Sequence, residues 1–324
     1  MIANYPVDLH SHTYLSDGAD SINELIDNAA GCGLKVLALT DHDILPPAEI
    51  HVPGGGSYSM VNWARGKGLA LLCGVEVSCE TGLEDVHIIG LGCGWKDPEM
   101  RSITQEIAQS KADAYLETIR RLNERGYEFT LDELLEYGGH RAELLTLQKK
   151  RIFDFMANRG FSSSWVEAKL LIREDPYLNV QREKPSAQRV IHAIHNAGGI
   201  AILAHPYLID AIVKIGGRDI ERWDYIESLI GNGLDGIESR YTYHKTTCKD
   251  KRPSAEIWDE IEKKAAGRLI ISAGSDYHAD GKKGVTKPRE LGECGLTMDE
   301  FMSVPFFSKL YGKAMDENRK SRLE

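Results

Sequence analysis

Short apolar runs alternate with longer amphipathic segments in two separate blocks of the chain. The first block covers roughly residues 1–95, and the second extends from about 186 to 275. This alternation is typical of the βα repeat of a parallel sheet. It predicts strands at Val7 to His12, Val36 to Asp41, Leu69 to Val77, Asp85 to Leu91, Ile200 to His205, Leu234 to Glu238 and Leu269 to Ala273. Their number comes close to the eight strands of a complete (β/α) barrel.

The segment between the two blocks has a different pattern. The strand signal disappears between Ser102 and Pro185, and long amphipathic segments follow one another. They predict helices at Ile103 to Arg125, Leu131 to Tyr137, Glu143 to Asn158 and Ser164 to Arg173. We therefore predict one barrel domain, residues 1–101 and 186–324, that is interrupted by an inserted helical domain, residues 102–185.

Helix signals also occur near both ends of the chain. Ser21 with Glu24 three residues later forms a capping box, and Gly31 and Gly33 predict where that first helix ends. After Pro288 we predict a short terminal helix that ends in the charged stretch 317–324.

The composition excludes several classes of protein. The 324 residues are 42% hydrophobic and 27% charged, which is typical of a globular protein with a sizeable core. A formal net charge of −10 gives no general electrostatic attraction for nucleic acid or an anionic membrane. No apolar stretch approaches the roughly 20 residues of a membrane span, and no signal peptide is evident, so we expect a cytoplasmic protein. The six cysteines include no Cys-x-x-Cys pair, and we expect reduced packing residues.

Side chains of the types that bind metals lie at nearly every predicted strand end. They occur in Asp8-Leu9-His10-Ser11-His12, Thr40-Asp41-His42-Asp43, Gly74-Val75-Glu76, Asp85-Val86-His87, Ala204-His205-Pro206 and Gly274-Ser275-Asp276-Tyr277-His278. Because the carboxyl ends of the strands in a βα barrel converge on one face, we expect a single polar cluster there.

The spacing of the residues within these segments indicates that the cluster binds metal cations. His10 and His12 are two residues apart, which on a strand places both imidazoles on the same side, and Asp276 and His278 repeat that spacing. Glu76 ends an apolar strand, where an isolated buried charge is costly and a bridging position between cations would satisfy it. The mixture of nitrogen and oxygen ligands suits Zn²⁺, Mn²⁺ or Fe²⁺.

Each segment taken alone has a plainer interpretation. Asp41-His42-Asp43 could be a turn with an N-cap carboxylate, and His87 and His205 could be hydrogen-bonded core histidines. The expected convergence of all these segments on one face favours a metal centre.

These residues resemble the motifs of the PHP (polymerase and histidinol phosphatase) superfamily. His10-Ser11-His12-Thr13 with Asp17-Gly18 is similar to its first motif, and Thr40-Asp41-His42-Asp43 is similar to its second. Glu76 with His87 resembles the third motif, and His205-Pro206 with Gly274-Ser275-Asp276-Tyr277-His278 resembles the fourth. The insertion is similar to that of the stand-alone PHP phosphoesterases. The resemblance implies an α/β fold, a distorted (β/α)7 TIM-like barrel with a helical insertion domain.

The resemblance also implies three divalent metal ions, Mn, Zn or Fe, as cofactors. It assigns His10, His12, Glu76 and Asp276 to one ion, Asp17, His42 and His278 to the second, and Glu76, His87 and His205 to the third. Glu76 would bridge ions. Asp17 stands where some relatives have histidine, and the aspartate version is similar to the branch that acts on nucleotide and cyclic phosphates.

A local excess of positive charge follows for such a centre, because three divalent cations outweigh the three ligand carboxylates, and it would attract phosphate. Divalent metals make hydroxide available near neutral pH and stabilise charge on phosphoryl oxygens. We therefore predict in-line attack on phosphorus by a metal-bridging hydroxide, with Glu76 and Asp276 as catalytic residues.

The residues that contact the substrate are less clear in the sequence. Relatives carry an Arg-x-His element in the insertion that grips phosphate, whereas this chain has Gln148-Lys149-Lys150-Arg151. Lys149 and Arg151 could still bind an anion, and a solvated helix face is the alternative. Tyr241 is a candidate for substrate binding, and His244 for protonating the leaving group, although a loop histidine is often only polar surface.

The sequence thus predicts a phosphoesterase whose partner is a small phosphorylated substrate: a nucleotide, nucleoside bisphosphate, cyclic phosphate or sugar phosphate. Alternatives are a histidinol-phosphate phosphatase, a 5′-3′ exonuclease on short single strands, a metal-stabilised module without turnover, and a barrel that hydrolyses a C–N bond. The net charge of −10 argues against a nucleic-acid partner other than short single strands.

Overall fold

The computed structural model describes residues 2–51, 56–139 and 141–316. The chain divides into two compact units, one of Met1–Ser102 with Ser186–Glu324 and one of Ile103–Pro185. The predicted charged stretch at residues 317–324 lies outside the described residues.

A sheet of seven strands forms the centre of the first unit. The strands of the described chain are β1 (Val7–Asp8), β2 (Val36–Leu39), β3 (Ile50–His51), β4 (Ser57–Tyr58), β5 (Ala70–Ser78), β6 (His87–Leu91), β7 (Ile200–Leu203), β8 (Ile212–Ile215), β9 (Arg218–Glu221), β10 (Gly236–Arg240) and β11 (Ile270–Ala273). The large sheet has the order β1-β2-β5-β6-β7-β10-β11, while β3 with β4 and β8 with β9 form separate two-stranded ribbons.

The two edge strands of the large sheet approach each other. The backbone N–H of Leu9 donates to the carbonyl of Ala273 at 3.1 Å, and Ser11 pairs with Tyr277 just beyond the ends of β1 and β11. The sheet is therefore a nearly closed barrel, and the predicted distorted α/β barrel is confirmed.

One strand departs from the parallel sheet that the sequence predicts. β6 pairs antiparallel with both β5 and β7, whereas the other neighbouring pairs of the large sheet are parallel. The reason is the short connection between Ser78 and His87, because a parallel crossover needs a dozen or more residues. The reversal puts His87 at the start of its strand rather than at its end, yet on the same edge of the barrel as the carboxyl ends of the parallel strands.

Helices surround the barrel and make up most of the second unit. They are α1 (Ile22–Cys32), α2 (Met60–Gly66), α3 (Pro98–Glu124), α4 (Leu131–Glu136), α5 (Lys149–Asn158), α6 (Trp165–Glu174), α7 (Ala187–Asn196), α8 (Arg222–Gly231), α9 (Ser254–Ala265), α10 (Met298–Ser303) and α11 (Pro305–Met315). The capping box of Ser21 and Glu24 is present at the start of α1, and Gly33 ends that helix in the left-handed conformation. None of the helices in the described ranges combines the length and apolar character that crossing a membrane requires.

The first unit has apolar cores inside and outside the barrel. Inward-facing residues of the strands, such as Val36, Leu72 and Ile202, form one cluster, to which Phe301 and Phe307 from α10 and α11 contribute. A second cluster packs α1 and α2 against the outer side of β2 and β5. None of the six cysteines is in a disulfide.

The helical unit has its own core, and Arg151 helps to organise it. The core includes Leu122, Phe129 and Ile152. The Arg151 guanidinium donates to the carbonyl oxygens of Leu134 at 3.0 Å and Leu135 at 2.9 Å, and also to that of Tyr137. Leu134 and Leu135 lie in the last turn of α4 and Tyr137 follows directly after it, so these carbonyls have no partners within the helix. Arg151 therefore caps the C-terminus of α4.

We expect Arg151→Met to lower the free energy of unfolding by about 1–3 kcal/mol, because the substitution leaves the α4 carbonyls without their charged donor. Chemical denaturation followed by circular dichroism measures the change. Lys150→Met is the matched control, since Lys150 makes an exposed ion pair with Asp154 and should contribute less than about 1 kcal/mol. Equal losses in the two variants would contradict the capping role.

We expect Gly274→Ala to destabilise the barrel by about 1–3 kcal/mol, because a Cβ at this position would lie 2.4 Å from the His10 Cβ and 2.6 Å from its backbone nitrogen.

Gly312 is the opposite case. A Cβ there meets nothing within 4 Å in helix α11, so Gly312→Ala should stabilise by about 0.5–1 kcal/mol. Thermal unfolding of both variants tests this difference in sign, and a Gly274→Ala protein as stable as the wild type would disprove the close contact.

Candidate metal centre

Residues from six regions of the chain meet at one end of the barrel. The loop after β1 supplies His10, His12 and Asp17, and the loop after β2 supplies His42. β5 and β6 supply Glu76 and His87, the loop after β7 supplies His205, and the loop after β11 supplies Asp276 and His278. All nine predicted metal-type residues are therefore brought together.

The Glu76 carboxylate lies at the middle of this group and is fully buried. Its Oε2 lies 3.1 Å from His10 Nε2, 3.3 Å from His12 Nε2 and 3.0 Å from His42 Nδ1. Its Oε1 lies 3.0 Å from His87 Nδ1 and 2.9 Å from His205 Nε2. Each oxygen thus faces a different set of imidazoles, which is the arrangement that a carboxylate bridging two cations requires.

A second carboxylate, Asp276, connects further histidines. Its Oδ1 lies 3.1 Å from His12 Nε2, 3.5 Å from His10 Nε2 and 3.3 Å from His278 Nδ1. Asp17 lies at the edge of the group, with its Oδ1 3.0 Å from His278 Nε2 and its side chain 48% exposed. The group therefore extends from the buried Glu76 to a solvent-accessible carboxylate.

The backbone at these positions is shaped for the site. Asp276 has φ of 53° and His205 has φ of 27°, in the left-handed region that side chains other than glycine rarely adopt. The buried Asp8 fixes the loop after β11, since its carboxylate accepts from Ser275 Oγ at 2.5 Å and from the backbone N–H of Gly292 at 2.8 Å. Burial raises the pKa of Asp8 to about 6. These contacts hold the ligand-bearing loop against β1.

The donor atoms fit divalent cations. Six buried side-chain atoms of this group have no hydrogen-bond partner: His10 Nε2, His12 Nε2, His42 Nδ1, Glu76 Oε2, His205 Nδ1 and Asp276 Oδ1. Buried polar atoms are rarely left without a partner, and bound cations would satisfy those that face into the group. Imidazole and carboxylate together suit transition-metal cations such as Zn²⁺ or Mn²⁺.

The electrostatics of the group favour the ionised carboxylates. Burial acts to raise the pKa of Glu76, but the adjacent His42 and His10 hold it well below its usual range. Burial acts to lower the pKa of His42, but Glu76 and Asp17 raise it to about 10. Protons and cations therefore compete for the same imidazole nitrogens, so metal binding releases protons.

Among the residues that the structure describes, three sets of side chains offer ligand atoms that lie within 4.8 Å of one another inside each set. The sets are His12, Asp17, His42 and His278; His10, His12 and Asp276; and His42, Glu76 and His87. They overlap with the expected ligand sets but differ in detail, because His12 and His42 each belong to two of them. His205 belongs to none of the three sets, although its Nε2 lies 2.9 Å from Glu76 Oε1. The division of the ligands among individual ions therefore stays a prediction.

The four residues predicted to contact the substrate differ in their burial and in their contact partners. Tyr241 is buried and its hydroxyl donates to Asp276 Oδ2 at 2.7 Å. His244 has a side chain 58% exposed, with Nδ1 3.3 Å from Ser254 Oγ and Nε2 3.9 Å from Glu293. Lys149 is the first residue of α5, and Arg151 caps α4. Tyr241 thus directly contacts a metal-type residue of the group, whereas the contacts of His244 are with Ser254 and Glu293.

Two residues at the centre were not assigned a role from the sequence. Glu238 on β10 accepts from His10 Nδ1 at 3.1 Å, and Arg289 forms an ion pair with Asp276 and another, at 2.8 Å, with Asp280. Glu238 carried a signal, since it is a carboxylate at the end of a predicted strand, like Glu76. Arg289 had none, because it follows Pro288 in a loop without periodicity.

Comparison with known proteins gives a consistent result. A sequence model described as the PHP domain matches residues 8–198, more than half of the chain. A phosphoribosyl 1,2-cyclic phosphate 1,2-diphosphodiesterase of Eggerthella lenta is 28% identical over 276 residues, which cover 84% of this chain and 93% of the relative. A 3′,5′-nucleoside bisphosphate phosphatase of Chromobacterium violaceum is 30% identical over 283 residues, covering 86% of this chain and 89% of the relative.

Two further similarities extend the comparison. A 5′-3′ exoribonuclease of Haemophilus influenzae is 27% identical over 279 residues, covering 84% of this chain and 89% of the relative. The crystal structure of a protein described as a metal-dependent phosphoesterase, from Bifidobacterium adolescentis, has the same fold, with a TM-score of 0.67, 22% identity and coverage of 95% of this chain and 98% of that chain. With a family match over more than half of its length, the chain belongs to the PHP domain family.

Proposed function

We propose that the chain is a metal-dependent phosphoesterase that hydrolyses a small phosphorylated substrate at this centre. The observation that carries the proposal is the arrangement of five imidazoles around the two oxygens of the buried Glu76 carboxylate. Such an arrangement suits a cluster of divalent cations, for which we propose three ions of Mn, Zn or Fe. A module without turnover would not need a ligand set that opens to solvent at Asp17.

The nine metal-type residues would hold divalent cations, and such cations would make hydroxide available near neutral pH and neutralise charge on phosphoryl oxygens. The chain itself orients these ions through Glu76 and Asp276, which we propose as the catalytic carboxylates. Tyr241 adds a proton donor next to Asp276. Burial, together with the charge of Asp276, holds the pKa of Tyr241 well above its usual range, so its hydroxyl keeps its proton at neutral pH.

The substrates that we propose are a nucleotide, a nucleoside bisphosphate, a cyclic phosphate or a sugar phosphate. Support comes from two relatives that are named for a cyclic phosphate and for nucleoside bisphosphates. A 5′-3′ exonuclease is the second candidate, because a third relative is named as an exoribonuclease. The net charge of −10 argues against long nucleic acids and favours small substrates.

The proposal also includes residues outside the metal centre that would contact the substrate. We keep Lys149 and Arg151 as candidates for phosphate binding and His244 as the candidate that protonates the leaving group. The three carbonyl contacts of Arg151 favour a structural role for its guanidinium. The exposure of His244 leaves it accessible to a proton from solvent, but its contacts are with Ser254 and Glu293 rather than with the metal-type residues.

Release of phosphate by the Mn²⁺-loaded protein tests the function. We expect hydrolysis within a panel of 3′,5′-bisphosphates, cyclic phosphates, histidinol phosphate and a short oligonucleotide, with one class preferred. Asp276→Asn should lower kcat on the order of 10²-fold or more, because it removes a charge at the reacting centre. No release from any substrate by protein with confirmed metal content would refute the proposal. Release that is equal in the Asp276→Asn variant would place the reaction elsewhere.

Glu76→Gln tests the bridging position. The amide keeps the volume of the side chain but loses its charge, so we expect the metal content to fall by more than one equivalent per chain. Elemental analysis after dialysis against Mn²⁺ measures this content. Glu99→Gln is the control, because Glu99 pairs with Arg189 rather than with the centre. Unchanged metal content in Glu76→Gln would rule out bridging.

A further inference from the structure

Glu238 is a fully buried acid inside the barrel, and the centre described above does not account for it. It lies on β10, between β7 and β11 in the sheet. Its Oε1 lies 3.1 Å from His10 Nδ1, and its Oε2 accepts from the backbone N–H of His205 at 2.8 Å. Both partners belong to predicted metal ligands, which lie in loops after two different strands, β1 and β7.

No lysine or arginine within the described ranges forms an ion pair with Glu238. A buried carboxylate without a lysine or arginine partner is costly, and its position inside the barrel calls for a compensating interaction. The two N–H groups of His10 and His205 are the interactions that the structure provides. These two hydrogen bonds, rather than apolar packing, therefore account for a carboxylate at position 238.

The contact with His10 has a chemical consequence. A carboxylate next to Nδ1 keeps the proton of a neutral imidazole on that nitrogen, which leaves Nε2 with a free electron pair. His10 Nε2 is one of the buried atoms without a hydrogen-bond partner, and it faces Glu76 at 3.1 Å and Asp276 at 3.5 Å. The contact with Glu238 thus orients the ring and favours the tautomer that offers Nε2 to a cation.

We propose that Glu238 is a positioning residue, which fixes His10 and the backbone of His205 so that both imidazoles face the bound divalent cations. The inference rests on the metal centre of the proposed function and adds to it a residue that itself touches neither substrate nor cation. Acids that accept from a metal-binding histidine typically affect metal affinity by about 10–100-fold.

Glu238→Gln is the most direct test. The amide keeps the volume of the side chain but replaces one of the two acceptor oxygens with a donor nitrogen, so the contacts of Oε1 with His10 and of Oε2 with His205 cannot both be kept as they are. We expect calorimetric titration with Mn²⁺ to show binding weakened by about 10–100-fold at one or more sites. Glu238→Asp keeps both acceptor oxygens on a shorter side chain and should recover part of the affinity.

Glu262→Gln is the matched control. Glu262 also lies against β10, with its Oε1 3.1 Å from Ser239 Oγ and 3.5 Å from Arg240 Nε, but not against a metal-type residue. The Mn²⁺ affinity of the Glu262→Gln variant should equal that of the wild type. Circular dichroism of the metal-free proteins shows whether the variants fold.

A measurement on the wild type keeps the test independent of variant folding. In the Zn²⁺-loaded protein, nitrogen NMR should show the His10 proton on Nδ1, with the signal assigned by its loss in His10→Gln. A deprotonated Nδ1, or wild-type Mn²⁺ affinity in a folded Glu238→Gln, would overturn the inference while leaving the proposed function intact. A wild type that binds no divalent cation would instead overturn the metal centre itself.

Discussion

The barrel is organised around one buried negative charge. Glu76 has no exposed surface, and its two oxygens lie 2.9 to 3.3 Å from the nitrogens of five histidines, His10, His12, His42, His87 and His205. An isolated carboxylate in this position would strongly disfavour folding, so the histidines and the cations that they can bind are needed to compensate it. Because the five histidines come from strands or loops on both halves of the barrel, this compensation requires the sheet to close.

Closure in turn depends on small residues and buried hydrogen bonds between the first and last strands. Gly274 lets the chain after β11 pass against His10, and Asp8 binds the backbone N–H groups of Ser275 and Gly292. These contacts bring Asp276 to His12 with an oxygen-to-nitrogen distance of 3.1 Å. The stability of the fold and the geometry of the candidate centre therefore rest on the same few contacts, and a substitution at Gly274 should affect both.

The rule that polar residues at strand ends converge predicted a single polar cluster, and the nine residues do lie together in the structure. It gave no information on chain direction or on contacts between residues far apart in the sequence. His87 was expected at the end of a parallel strand, but the short connection after β5 reverses β6. Glu238 satisfies the same rule and was not given a role, because its importance depends on contacts with His10 and His205. Arg151 is a candidate phosphate ligand in the sequence, and nothing in the sequence indicated that its guanidinium caps α4, a contact set by the packing of two helices.

The sequence by itself determined the α/β barrel class, and it predicted the helical insertion and the nine metal-type residues, because periodicity and residue type are local properties that indicate strands, helices and candidate ligands. Only the tertiary structure decided which oxygen of Glu76 faces which histidine, how His12 and His42 lie between ligand sets, and how Glu238 and Arg289 support the centre. Ligand geometry depends on distances of a few ångströms between residues far apart in the chain, and those distances exist only after the barrel has closed.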